Sequence, residues 1–262
     1  MGAMSDKSYQ NRFSQVAGGY ALYRPRYPRE LIDYLAGVTT QHETVWDCAC
    51  GSGQLSVPLA ERFARVIATD ASAEQLAQAE AHPRVEYRKA TAEASGLPDM
   101  SVDLITVAQA AHWFDRARFY EEVRRVGRRG AVVALICYGV HSVDDAVDPI
   151  VRAFYGVSLA PYWGPERVHV EEGYRRFDFP FDEFAAPPME LSASWNLSQL
   201  IGYIETWSAV WAMVQDRGRS TLDDLREALS RTWGSAETVR TIRWPLRMRI
   251  GRVLNRNRSA PC

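Results

Sequence analysis

The sequence predicts a doubly wound α/β fold, a mostly parallel sheet with helices on both faces. Three observations predict it. Strand-like runs alternate with helical segments through the first half of the chain. Several of those runs are apolar throughout, as strands covered on both faces are. The chain has 262 residues, 47% of them hydrophobic. A chain of that length buries roughly three quarters of its unfolded surface, enough for one large domain or one domain with a lid.

The elements follow in order. Val45 to Cys48 is a short apolar strand that enters a turn of small residues, Ala49-Cys50-Gly51-Ser52-Gly53. Leu55, Leu59 and Phe63 then recur at helical spacing. Arg65 to Thr69 reads as a buried strand ending at Asp70, and Ser72 with Gln75 three residues on marks a helix start. Leu76 and Ala79 carry that helix to His82-Pro83. Val85 to Lys89 and Val102 to Val107 are the third and fourth strands. Phe119, Val123 and Val126 mark a helix stopped near Gly127, and Ala131 to Cys137 is a fifth strand. Leu197 to Val214 and Leu222 to Trp233 are helical. Ile242 to Ile250 alternates apolar residues with arginines, a strand with a solvated basic face. Pro245 cannot donate to a ladder, which favours an edge or a bulge there.

Composition excludes several classes. Gly 17 and Pro 13 are too few for a fibre, and no stretch is apolar for the ~20 residues of a membrane span. Met1 to Ala3 reads as a cloning remnant, and MGAMSDKSYQ has no apolar run of the signal-peptide kind. The net charge of -1 gives no pull toward nucleic acid or an anionic membrane. Cys48, Cys50, Cys137 and Cys262 lack metal-ligand spacing, so no metal site is expected. They read as reduced thiols of a cytoplasmic protein.

The chemistry concentrates at the first turn. A strand feeds small residues and then a helix, so a ligand can lie against backbone N–H groups. A second strand ends in Asp70, where a carboxylate can accept both hydroxyls of a ribose. Gly51-Ser-Gly53 lacks the third glycine of the dinucleotide fingerprint, which weakens a nicotinamide-dependent oxidoreductase reading. Asp47 at the strand end suits a cationic ligand better than a pyrophosphate. S-adenosylmethionine has a sulfonium, an ammonium and a ribose, and no phosphate.

VWDCACGSG resembles the first motif of class I SAM-dependent methyltransferases, usually D-x-G-x-G-x-G. Asp70, Ala90-Thr-Ala-Glu93 with Gly96-Leu-Pro98, and VDLITVAQ ending at Gln109 are similar to that family's later motifs. AHWFD at Ala111 to Asp115 and YRPRYP at Tyr23 to Pro28 resemble the small-molecule branch, nearest the trans-aconitate methyltransferase-like subgroup. Ala49 replaces the first motif glycine, a harmless change at negative φ. Thr91 stands where many relatives carry Asp.

The resemblance implies a Rossmann-like core that binds S-adenosyl-L-methionine and releases S-adenosylhomocysteine. Ala49, Gly51 and Gly53 would border the methionine part and ribose, with Asp47 near the ammonium and Asp70 on the ribose hydroxyls. Thr91, Ala92 and Glu93 would meet adenine, and Gln109 the ammonium. Tyr20 and Arg24 would close over the ligand carboxylate. His112 is the candidate catalytic base or orienting group, and Tyr23, Trp113 and Trp207 are candidate acceptor contacts. The expected organisation is a flexible segment 1–8, a core 9–140, a lid 141–180, completing elements 181–254 and a disordered tail 255–262. The expected function is methyl transfer to the oxygen of a small-molecule carboxylate or hydroxyl. A SAM-binding scaffold without transferase activity is the alternative.

Overall fold

A computed structural model describes residues 25–254. The described chain divides into two compact units. A sheet unit comprises Tyr27–Tyr138, Val168–Met189 and the chain from Leu246. A helical unit holds Gly139–Arg167 and Glu190–Pro245.

The sheet unit opens with α1 (Arg29–Val38) and continues through β1 (Thr44–Cys48), α2 (Ser56–Leu59), β2 (Arg65–Asp70), α3 (Ala73–Leu76) and β3 (Val85–Lys89). It then forms β4 (Val102–Ala108), α4 (Arg116–Val126) and β5 (Gly127–Tyr138). In the helical unit, α5 (Asp148–Ala153) leads into two short helical turns, and α6 (Arg167–Glu171) carries the chain back to the sheet unit. After β6 (Asp182–Phe184) come β7 (Met189–Trp195), α7 (Leu197–Glu205), α8 (Ser208–Arg217), α9 (Ser220–Trp233) and β8 (Arg240–Arg252).

The strand order is β3-β2-β1-β4-β5-β8-β6, with β7 pairing β8. The first five strands run parallel, while β8 lies antiparallel to β5 and to β6. The chain winds outward from β1 to β3 and restarts at β4 on the other side of β1. Such a switch point opens a crevice at the carboxyl ends of the strands.

Alternation along β5 divides the core between the two faces. Ala131, Val133, Leu135 and Cys137 join Phe119, Val123 and Val126 of α4 in one buried cluster. Val132, Ala134 and Ile136 join Leu31, Ile32 and Leu35 of α1, with Leu55, Leu59 and Phe63, in the other. Both faces are therefore covered by helix, as the apolar strands require.

Several elements differ from the sequence expectation, each for a local reason. Regular α2 is only four residues long, although turn hydrogen bonds continue to Phe63. Pro58 has no N–H, which removes one bond from the helical ladder. The helix capped by Ser72 does form, with its hydroxyl accepting the Gln75 N–H at 3.2 Å. It ends at Leu76, where bonds from Gln78 to Gln75 and from Ala79 to Leu76 tighten the chain. The single helix expected over Leu197–Val214 is two helices. The Thr206 N–H and hydroxyl both donate to the Tyr203 carbonyl, and Trp207 is extended. The short strand β6 carries no period-2 signal, whereas β7, absent from the sequence expectation, does alternate, with Met189, Leu191, Ala193 and Trp195 on one face and Glu190, Ser192 and Ser194 on the other. Pro245 is exposed within β8 and falls outside the residue pairs that β8 makes with β5 and β6. The basic face of β8 is solvated at Arg243 and Arg247, but Arg249 turns inward. No helix among the described residues is long and apolar enough to cross a membrane.

Candidate active site

The carboxyl ends of β1, β2 and β4 meet in register, with Cys48 beside Thr69 and beside Val107. The turn after β1 coils sharply there. The Cys50 N–H donates to the Thr69 carbonyl at 2.9 Å and the Gly53 N–H to the Cys50 carbonyl at 3.0 Å. Ala49, Gly51 and Gly53 all have positive φ, at 54°, 57° and 83°. At Gly53 a Cβ would overlap the Tyr87 hydroxyl, so glycine is required by space as well as by φ. At Gly51 a Cβ would meet only the Gln75 side chain, at 3.7 Å, which leaves the backbone approachable. Ala49 departs from the expectation of negative φ. An L-residue there carries about 1–2 kcal/mol of strain that glycine would not.

Asp70, at the end of β2, is 5% exposed. Its Oδ2 accepts the Gly51 N–H and its Oδ1 the Ser72 N–H, both at 2.8 Å. Burial raises its pKa, and those N–H groups oppose the rise. The two bonds fix the carboxylate against the glycine turn, with lone pairs remaining on each oxygen.

Asp47 is more deeply enclosed. Ser56 Oγ donates to its Oδ2 at 2.5 Å and Thr106 Oγ1 to its Oδ1 at 2.8 Å. Burial pushes its pKa up to about 6 against the pull of the two hydroxyls, and nearby Asp70 adds to the rise. Asp47 thus ties β1 to α2 and to β4. Ser56 and Thr106 were not legible as partners, because they lie 9 and 59 residues away in sequence. Burial, then the charge of Asp47, keeps the Cys50 thiol protonated.

Beyond β3, Thr91 is exposed and bridges to Ala94, while Ala92 between them is buried. Glu93 Oε1 accepts the Asp115 N–H at 3.0 Å, tying this segment to the start of α4. At the end of β4, Gln109 has φ +58°. Its N–H donates to the Ile136 carbonyl and its Nε2 to the Tyr138 carbonyl, both at 2.9 Å. A non-glycine residue held this way costs on the order of 1–3 kcal/mol, and such strain concentrates at functional sites.

His112 and Trp113 follow in a single helical turn, their rings 4.8 Å apart. The His112 Nδ1 lies 3.2 Å from the hydroxyl of Tyr174, a residue that no local sequence signal singles out. Trp207 belongs to the helical unit and packs against Tyr155, Trp163, Tyr203 and His141. Tyr20, Tyr23 and Arg24 lie outside the described residues. No group of three or more His, Cys, Asp or Glu suited to a metal ion occurs among the described residues.

The sheet unit therefore brings together Asp47, Ala49, Gly51, Gly53, Asp70, Ala92 and Gln109 at the strand ends. Asp47, expected near a ligand's ammonium, is 1% exposed and engages both oxygens with Ser56 and Thr106. The donor set fits a nucleoside. It offers a buried carboxylate for a diol, and a glycine backbone open to close contact. Ser52, on the same turn, holds a buried hydroxyl without a hydrogen-bond partner among the described residues, as a polar ligand would require.

A glycine turn after β1 with an acid at the end of β2 is the arrangement that the class I methyltransferase resemblance implies, and comparison with known proteins supports that class. A family model described as a methyltransferase domain matches residues 46–135. A Dictyostelium discoideum protein named as a methyltransferase is 31% identical over 233 residues, spanning 87% of this chain and 89% of its own. A Mycobacterium tuberculosis protein, named as an uncharacterized methyltransferase, is 40% identical over 125 residues, about half of each chain (47% and 51%). A solved structure from Anaeromyxobacter dehalogenans, described as a type II methyltransferase, superimposes with a TM-score of 0.84 at 47% identity. It covers 89% of this chain and 100% of that one. The chain belongs to the class I SAM-dependent methyltransferase family.

Proposed function

We propose that the protein binds S-adenosyl-L-methionine at the ends of β1, β2 and β4. It then transfers the methyl group to a carboxylate or hydroxyl oxygen of a small cytoplasmic molecule. The observation that carries this reading is Asp70, held by Gly51 and Ser72 beside the glycine turn. Bound there, the cofactor supplies a methyl group already activated by positive sulfur. Asp70 accepts the ribose hydroxyls, and the Gly51–Gly53 backbone admits the ligand closely. Thr91, Ala92 and Glu93 lie along adenine. Gln109 offers its strained backbone carbonyl to the ammonium, and buried Asp47 braces the turn from below. Trp113 and His112 bound the acceptor side. A carboxylate acceptor needs only orientation and desolvation, whereas a hydroxyl also needs a proton acceptor, a role open to His112.

Calorimetric titration with S-adenosylhomocysteine tests the cofactor assignment. Micromolar binding is expected, with none to NAD. Asp70→Ala should weaken that binding by about 1–3 kcal/mol, the range for losing charge-assisted hydrogen bonds. Unchanged affinity in the folded variant removes Asp70 from the site. No binding at all removes the cofactor reading.

A further inference from the structure

We infer that Tyr174 is a positioning residue for His112, holding the imidazole in the tautomer that carries its proton on Nε2. The inference rests on the reading of His112 as an acceptor-side group. Its evidence lies within the sheet unit.

Three independent features hold the Tyr174 side chain in place. First, Tyr174 is fully buried, its ring stacked on His112 with centroids 6.1 Å apart and planes 26° apart. It also stacks on Phe177, with centroids 4.9 Å apart. Second, its backbone is strained, with φ +61° directly after Gly173 at φ +63°. A bulky residue in this region is a true outlier, kept only where the surroundings over-determine it. At Gly173 a Cβ would collide with the Arg247 side chain, so the turn cannot shift toward it. Third, the carbonyl of Tyr174 is clamped. Arg249 Nη1 donates to it at 3.2 Å and to the Phe177 carbonyl at 2.6 Å. Arg249 is itself held by Glu183 through two contacts, at 2.7 and 2.5 Å. A rigid line thus runs from Glu183 through Arg249 and Tyr174 to His112.

The direction of the last bond follows from acidity. A phenol is the better donor and an imidazole nitrogen the better acceptor, so the Tyr174 hydroxyl donates to Nδ1. Neutral imidazole then keeps its one proton on Nε2. His112 thereby presents a donor, which orients an electron-rich acceptor oxygen.

Side-chain 15N spectra of the intact protein at pH 8 test this, with the His112 signals assigned by their loss in His112→Gln. In the wild type, His112 should show a single tautomer, Nδ1 bare and Nε2 protonated. Tyr174→Phe keeps the ring and removes the hydroxyl. It should convert His112 to a mixture of tautomers while His42 and His82 keep their signals. Nδ1 protonated in the wild type overturns the inference without any variant. An unchanged single Nε2–H tautomer in folded Tyr174→Phe also overturns it. Titration of the same samples with S-adenosylhomocysteine reports separately on the cofactor reading, so the two failures are distinguishable.

Discussion

Ala49 sits where the chain turns hardest, one residue past β1, with a φ of 54°. Replacing it by glycine removes ~1–2 kcal/mol of left-handed strain and adds ~0.5–1 kcal/mol of unfolded-state freedom. Ala49→Gly should therefore stabilise the protein by about 0.5–1 kcal/mol. The melting temperature should rise by roughly 2 °C, which calorimetry would resolve. A loss of stability would mean the native angle is not left-handed. Residue identity was legible here and conformation was not. The small-residue turn, Asp70 and the Ser72 cap can all be read from spacing. The sign of φ at Ala49 depends on where β2 and β4 lie. The hydroxyls on Asp47 come from 9 and 59 residues away and the phenol on His112 from 62, and no local pattern announces them.

Among the elements, β1, β4 and β5 are fastened at the end opposite the site by one buried carboxylate. Asp103 Oδ2 accepts the N–H groups of Glu43 and Thr44 at 3.1 and 2.8 Å, and its Oδ1 takes Arg128 at 2.6 Å. Asp103→Ala strips two backbone donors and a guanidinium of their partner at once. It should cost about 2–4 kcal/mol in urea denaturation, while binding of S-adenosylhomocysteine to the folded fraction stays intact. A cost below 1 kcal/mol would show that water replaces the carboxylate. Of the five parallel strands, β1, β2, β4 and β5 were legible from their apolar runs, while β3 (VEYRK) has none. β6 was not legible, since it is three residues long and its side chains are not buried. β7 was not among the expected strands, although Met189, Leu191, Ala193 and Trp195 alternate with polar residues. The break between α7 and α8 was hidden too. Periodicity runs unchanged through Thr206, and only its hydroxyl bond to Tyr203 reveals the stop.

At the scale of the whole molecule, acid sensitivity is built into the helical unit. His141 is 2% exposed, neither ring nitrogen has a hydrogen-bond partner among the described residues, and Tyr203, Trp207 and Trp244 surround it. Burial pushes its pKa down to about 3, against about 6.5 in the unfolded chain. The folded pKa is the lower one, so this contribution is complete above about pH 6.5 and is lost as pH falls toward 3. From pH 7 to pH 5 that is a loss of about 2 kcal/mol. In His141→Phe, whose side chain has no such proton to gain, the stability difference from wild type should change by that amount over this interval. Urea denaturation at the two pH values checks it, and parallel curves would place His141 in a wetter setting.

The pairing of β5 with β8 also has a consequence in time. β5 is apolar from Ala131 to Cys137, and its antiparallel neighbour is the last strand among the described residues. On the ribosome, β5 emerges about 110 residues before the segment that covers it, a wait of roughly 5–20 s at ordinary elongation rates. Throughout that interval the nascent chain carries an apolar strand with an open edge, a template for pairing with other chains. A message truncated anywhere between Tyr138 and Leu246 would make that transient exposure permanent.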